Sequence, residues 1–201
     1  MRPIAFILAA VLALCPVNFA AGAKTEVTDL PNHPFVTDLP LNSKLSLYLR
    51  SGDIQILARD DNKLSVRYDG TSTSNFKDLG LRLDRSADSA SLELHGGPDR
   101  DMHVTIEVPR NTSLFVRMSA GNLELAGITG DKDVRLRAGE LVISIGDPKD
   151  YSQIHASVLT GGLEAAPLGE SHGGMFRSFT RQGPGKYKLT AHVTAGDLTL
   201  R

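Results

Sequence analysis

What this 201-residue chain lacks closes off several classes of function. It has no tryptophan and one cysteine, Cys15, so no intramolecular disulfide can form. Aromatic residues are 5% of the whole, little material for a surface built to stack sugar rings. Lysine and arginine number 22 against 23 acidic residues, a net charge of −1. No basic excess draws nucleic acid or anionic lipid as a partner. After residue 23 no run approaches the ~20 apolar residues of a membrane-spanning helix. Nor does any later window carry the i, i+3, i+4, i+7 apolar spacing of an amphipathic helix.

What is present begins with residues 1–23, which read as a secretory signal peptide. Arg2 supplies a positive start, Ile4 to Leu14 an apolar run, and Ala21-Gly22-Ala23 an A-x-A cleavage site before Lys24. Pro16 and Asn18 end the run too early for a membrane anchor. Cys15 is a poor lipidation site, because Leu14 stands where a small residue is usual. With cleavage after Ala23 the remaining chain has the size of one domain and carries no thiol. Residues 24–42, with Pro31, Pro34 and Pro40, read as an extended leader.

The most informative feature is a unit used five times, centred on Gly52, Gly121, Gly139, Gly161 and Gly196. The copies read Leu-Tyr-Leu-Arg-Ser-Gly-Asp-Ile-Gln-Ile, Val-Arg-Met-Ser-Ala-Gly-Asn-Leu-Glu-Leu, Val-Arg-Leu-Arg-Ala-Gly-Glu-Leu-Val-Ile, Ala-Ser-Val-Leu-Thr-Gly-Gly-Leu-Glu-Ala and Ala-His-Val-Thr-Ala-Gly-Asp-Leu-Thr-Leu. Positions −5, −3, +2 and +4 from the glycine are apolar in every copy. The residue before the glycine is always small, and the one after is mostly polar. This is a strand, a sharp corner and a second strand, with glycine supplying a positive φ at the bend. The steps from Gly121 to Gly139 and on to Gly161 are each about 20 residues, the length of one coil of a β-solenoid. The longer step to Gly196 has room for two coils, its middle corner obscured by Gly173-Gly174 and Gly183-Pro184-Gly185. Stacking would align like positions in columns about 4.8 Å apart and form one continuous interior.

Elsewhere, Lys63 to Tyr68, Leu79 to Leu83, Ala90 to His95 and Met102 to Val108 alternate with the period of half-buried strands. Turn residues separate them, among them Asp60-Asp61-Asn62 and Gly96-Gly97-Pro98. These runs predict that the solenoid begins with a more irregular antiparallel region, up to about Val108.

The stretch from Val104 to Ile143 resembles the bacterial putative-adhesin β-strand-repeat family, a domain family of unknown function. The resemblance rests on Val108-Pro109, Leu114 to Met118, Ala120-Gly121-Asn122-Leu123, Gly127-Ile128-Thr129-Gly130 and Ala138-Gly139-Glu140-Leu141. It covers roughly residues 45–201 and implies an exported, right-handed β-helix-like solenoid of the cell envelope, with no catalytic residues. The chain departs from the pattern at Gly146 to Ser152 and at 169–186.

Candidate chemistry is sparse. Asp53, Asn122, Glu140 and Asp197 would share a corner, but one oxygen-bearing side chain per coil falls short of the six to eight oxygens calcium takes. The histidines His33, His95, His103, His155, His172 and His192 are scattered, without metal-ligand spacing; only His95 and His103 could meet, across a hairpin. Glu124 and Glu164 at +3, with Arg117 and Arg135 at −4 nearby, are the nearest thing to a glycosidase pair. They describe a salt-bridged outer face equally well.

The sequence therefore predicts an all-β protein: a signal peptide over 1–23, a leader over 24–42, and a single-stranded right-handed β-solenoid over 43–201. No catalytic, cofactor-binding or metal-binding residue is assigned, no cofactor is implied, and the protein is not expected to be an enzyme. The expected role is a non-catalytic, exported, adhesin-like surface in the periplasm or outside the cell, meeting an envelope or surface partner, protein or glycan. Alternatives are a glycan-active envelope enzyme or a periplasmic stress or signalling accessory. The last strand, residues 186–200, is expected to end the stack uncovered and to favour self-association through its edge.

Overall fold

The computed structural model describes residues 23–70, 78–97 and 102–201. The expected signal peptide, Cys15 included, lies outside the described residues but for Ala23. The strands are β1 (Ala23–Val27), β2 (Phe35–Asp38), β3 (Lys44–Leu49), β4 (Asp53–Arg59), β5 (Lys63–Tyr68), β6 (Gly80–Arg85) and β7 (Ser89–His95). They continue with β8 (His103–Pro109), β9 (Ser113–Ala126), β10 (Lys132–Ile143), β11 (Tyr151–Ala165), β12 (Glu170–Gln182) and β13 (Tyr187–Leu200). Among the described residues they form one mixed 13-stranded sheet that does not close on itself. Two three-residue 3-10 turns, at 148–150 and 166–168, are the only helical pieces described.

Each repeat bends this sheet into two limbs. Positions −3 and +2 are five residues apart, an odd step that a flat strand would send to opposite faces. Yet all of −5, −3, +2 and +4 are buried in all five copies. The corner glycine absorbs the extra residue, with φ between 109° and 136° in the five copies. The two limbs thus turn their apolar sides toward one another, and one dry core fills the angle between them.

Like positions do stack. Leu136 lies opposite Met118 on one side and Val193 on the other, and Val193 lies opposite Val158. Gly139 is likewise opposite Gly121 and Gly196, and Asn122 is opposite Asp53, next to Gly52. Gly161 continues the column, and Gly174 on β12 faces Gly161.

The order of the stack differs from the order of the chain. Along the first limb the strands run β1-β6-β7-β3-β9-β10-β13-β11-β12. β13 lies between β10 and β11, parallel to both. The segment 144–150 spans the level that β13 later occupies, which is why Gly146 to Ser152 exceeds an ordinary corner. Residues 169–186 are irregular because β12 returns antiparallel along β11 as a hairpin rather than completing a coil. The expected self-association through a bare C-terminal strand is therefore corrected: both edges of β13 are paired, and the edge falls on β12.

Parts of residues 24–42 join the sheet as extended strands. β1 pairs with β6 and β2 with β5, both antiparallel. Leu30 and Leu39 are fully buried, their backbone N–H groups donating to Leu79 and Asn62 carbonyls at 2.8 Å. Proline spacing hid this, since two short edge strands leave little periodicity to read. The antiparallel region itself is present as β1/β6, β6/β7, β2/β5 and β5/β8. β3 and β4, however, belong to the parallel stack.

Candidate surface site

The outward residues of the repeats form rows across the limbs, because register is kept from strand to strand. On the first limb the −4 row runs Ser157, His192, Arg135, Arg117, Tyr48 and then Glu93. The −2 positions beside it carry Thr194, Arg137, Ser119 and Arg50. All of these but Ser157 border an open trough of about 390 Å³ on the outside of the first limb.

The trough is basic. Arg117 and Arg135 both reach one Asp133 carboxylate, at 3.2 and 3.5 Å. The Arg117 guanidinium also lies 3.6 Å over the Phe115 ring, a cation–π contact that fixes its plane. Phe115 in turn meets Tyr48 at a tilted 6.3 Å. Arg137 is exposed and has no ion-pair partner among the described residues. His192 shares a 2.9 Å hydrogen bond with the Ser157 hydroxyl. Burial, then the charges of Arg135 and His155, hold its pKa below the ordinary histidine value. At neutral pH it is mainly an uncharged imidazole.

The second limb over the same strands carries the opposite sign outward: Asp53, Glu124, Glu140, Glu164 and Asp197. A net charge of −1 thus hides two faces of contrasting charge. The expected neighbourhood of Glu124 and Glu164 with Arg117 and Arg135 does not form, since the corner separates them. Glu124 pairs instead with Arg201. Val142 and Thr199 stand between Glu124 and Glu164 in the row, placing the carboxylates three strand spacings apart, on the order of 14 Å. That exceeds the separation a glycosidase pair uses.

The corner residues do line up, as expected. The Asn122 amide donates to Asp53 at 2.7 Å, and the Gly162 N–H donates to Asp197 at 2.7 Å. Among the described residues, no group of three or more His, Cys, Asp or Glu is placed to hold a metal. β7 and β8 are not a hairpin; they pair with different strands and lie on different limbs. His95 accordingly faces Glu26 at 3.9 Å, and His103 faces Asp53 at 3.3 Å. His33 lies 3.8 Å from Asp29, and His155 bonds the Thr180 hydroxyl at 2.8 Å. The His172 side chain lies outside the description.

One buried group escaped the sequence reading. Lys132 occupies the −7 position, held in the other copies by Leu45, Leu114, Leu189 and Ile154, and it is 2% exposed. Its ammonium donates to the Gly130 carbonyl at 3.0 Å and to the Tyr151 hydroxyl at 2.9 Å. Tyr151 donates onward to the Ile145 carbonyl at 3.1 Å. Burial lowers the Lys132 pKa to about 8, against the opposing charges of Asp131 and Asp150. Burial and Asp150 push Tyr151 up to about 12. Comparing the −7 positions across the repeats would have found this lysine.

No helix among the described residues is long and apolar enough to cross a membrane. No protein-family model matches the chain, and no curated protein matches it. Two solved structures are similar. A putative cell adhesion protein from Clostridium sporogenes ATCC 15579 aligns over 90% of this chain and 99% of its own, at 12% identity and a TM-score of 0.50. A putative adhesin from Bacteroides fragilis NCTC 9343 aligns over 89% and 98%, at 10% identity and a TM-score of 0.27. The first of these likenesses is one of fold, over nearly the whole of both chains.

Proposed function

We propose that this is a non-catalytic, exported envelope protein with an adhesin-like role, binding its partner through the flat outer face of a solenoid-like stack. The observation that carries the reading is the in-register outer face of the first limb. Rows of polar, charged and aromatic side chains are held at strand spacing on a backbone locked by the glycine column. Such a surface distributes many modest contacts without ordering any loop first, so little conformational entropy opposes binding. The signal-peptide pattern supports export to the periplasm or cell surface. The fold shared with a protein named for cell adhesion supports the adhesin-like role.

The test is twofold. The purified protein is titrated against intact bacterial cells and a panel of bacterial and plant polysaccharides, with polymer length followed by gel filtration. Saturable attachment with polymers left intact supports the reading; shortening of any polymer replaces it with an envelope enzyme. Fractionation of cells producing a C-terminally tagged chain checks export: the tag should leave the cytoplasm on a chain beginning near Lys24.

A further inference from the structure

We propose that the trough on the first limb is a binding site for a linear polysaccharide bearing carboxylates, a uronate polymer laid across the strands. This deepens the surface-binding reading and rests on it. The structure already contains a stand-in for the ligand, because Arg117 and Arg135 converge on the one carboxylate of Asp133. A guanidinium presents its donors in a planar fork that matches a carboxylate, and each retains donors beyond those Asp133 uses. Arg137, two residues along β10 from Arg135, adds a cation without an ion-pair partner among the described residues. The cations therefore recur both across the strands and along one of them.

Cation spacing favours a polymer over a single small anion. Arg117 and Arg135 stand one strand apart, about 4.8 Å, a step close to the length of one sugar in a linear chain. The site has ends. At one side the exposed Tyr48 ring offers a wall against which a pyranose can lie, and Glu93 beyond Tyr48 repels any further carboxylate. At the other, His192 and Thr194 offer neutral hydrogen-bonding groups for sugar hydroxyls. The acidic second limb repels the same polymer, so it has one face to occupy.

The experiment measures binding of the whole protein to immobilised polygalacturonate and alginate, with dextran as the uncharged polymer. Duplex DNA and vesicles rich in anionic lipid serve as phosphate-bearing alternatives. The expected result is saturable binding to the uronates, weakened by added salt, with none to dextran. The double variant Arg135→Gln/Arg137→Gln should lose about tenfold or more in affinity while melting at the wild-type temperature. Lys63→Gln, which removes one cation from the other limb, should bind as the wild type does. The proposal is overturned if uronates and dextran behave alike, if DNA or vesicles bind and uronates do not, or if the double variant binds normally. Cell attachment separates the two ideas: if it survives in the double variant, the surface-binding reading stands and the arginine site falls.

Discussion

Gly139 lies directly on Gly121 in the stack, and a Cβ on Gly139 would sit well under 3.0 Å from the Gly121 carbonyl oxygen. The same close approach recurs from Gly121 to Gly52, from Gly196 to Gly139 and from Gly161 to Gly196. Glycine is thus required twice over: once for φ, once for the room that the neighbouring backbone leaves. Gly139→Ala should destabilise the protein by about 3–5 kcal/mol, since backbone strain and a steric clash act together. Urea unfolding measures it. A loss under 1 kcal/mol would mean that the corners do not stack as described.

The repeat pattern specifies burial and corner geometry because both are local properties. Apolar alternation on each side of Gly121 and a small residue before it are enough to place Val116, Met118, Leu123 and Leu125 inside. Stack order is not local. Nothing in the residues of β13 says that it pairs with β10 rather than β12, since each repeat offers nearly the same edge to its neighbours. The clue was the long link at Gly146 to Ser152, legible only as a departure from pattern. The basic face is half legible: the −4 position turns Arg117 and Arg135 outward, but a charge count over the whole chain averages their limb with an acidic one.

Lys132 makes stability depend on pH. In the unfolded chain a lysine stays charged up to its ordinary value of 10.5, whereas Lys132 folded loses its proton near 8. Between these values the unfolded state binds more protons, so stability rises with pH, by about 3 kcal/mol in total. Tyr151 acts in the opposite sense. It keeps its proton up to about 12 when folded against 10.0 unfolded, so stability falls as pH rises through that range. Urea midpoints should climb from pH 8 and turn over just above pH 10. Lys132→Met should flatten the climb and leave the decline. A wild-type profile that is flat between pH 8 and 10 would contradict the buried ammonium.

Thr112 is fully buried, and its hydroxyl has no hydrogen-bond partner among the described residues. Burying an unpaired hydroxyl opposes folding, and valine has nearly the same shape without it. Thr112→Val should therefore stabilise the protein by about 1 kcal/mol, seen as a higher urea midpoint with an unchanged slope. Destabilisation would show that the hydroxyl is satisfied.

The position of β13 gives the sharpest test of the topology. Ending the chain at Gly185 removes a strand that bonds β10 on one side and β11 on the other. It also removes Leu189, Val193, Leu198 and Leu200 from the core. The β11–β12 hairpin then has no ladder to the rest of the sheet, and β10 is left with a long bare edge of the kind that recruits other chains. Circular dichroism should show the cooperative thermal transition weakened or lost, and sedimentation should show aggregates. Were β13 instead the last layer of a stack in chain order, its removal would leave a shorter but intact sheet. A truncated chain that stays monomeric and melts cooperatively would therefore refute the interleaved order.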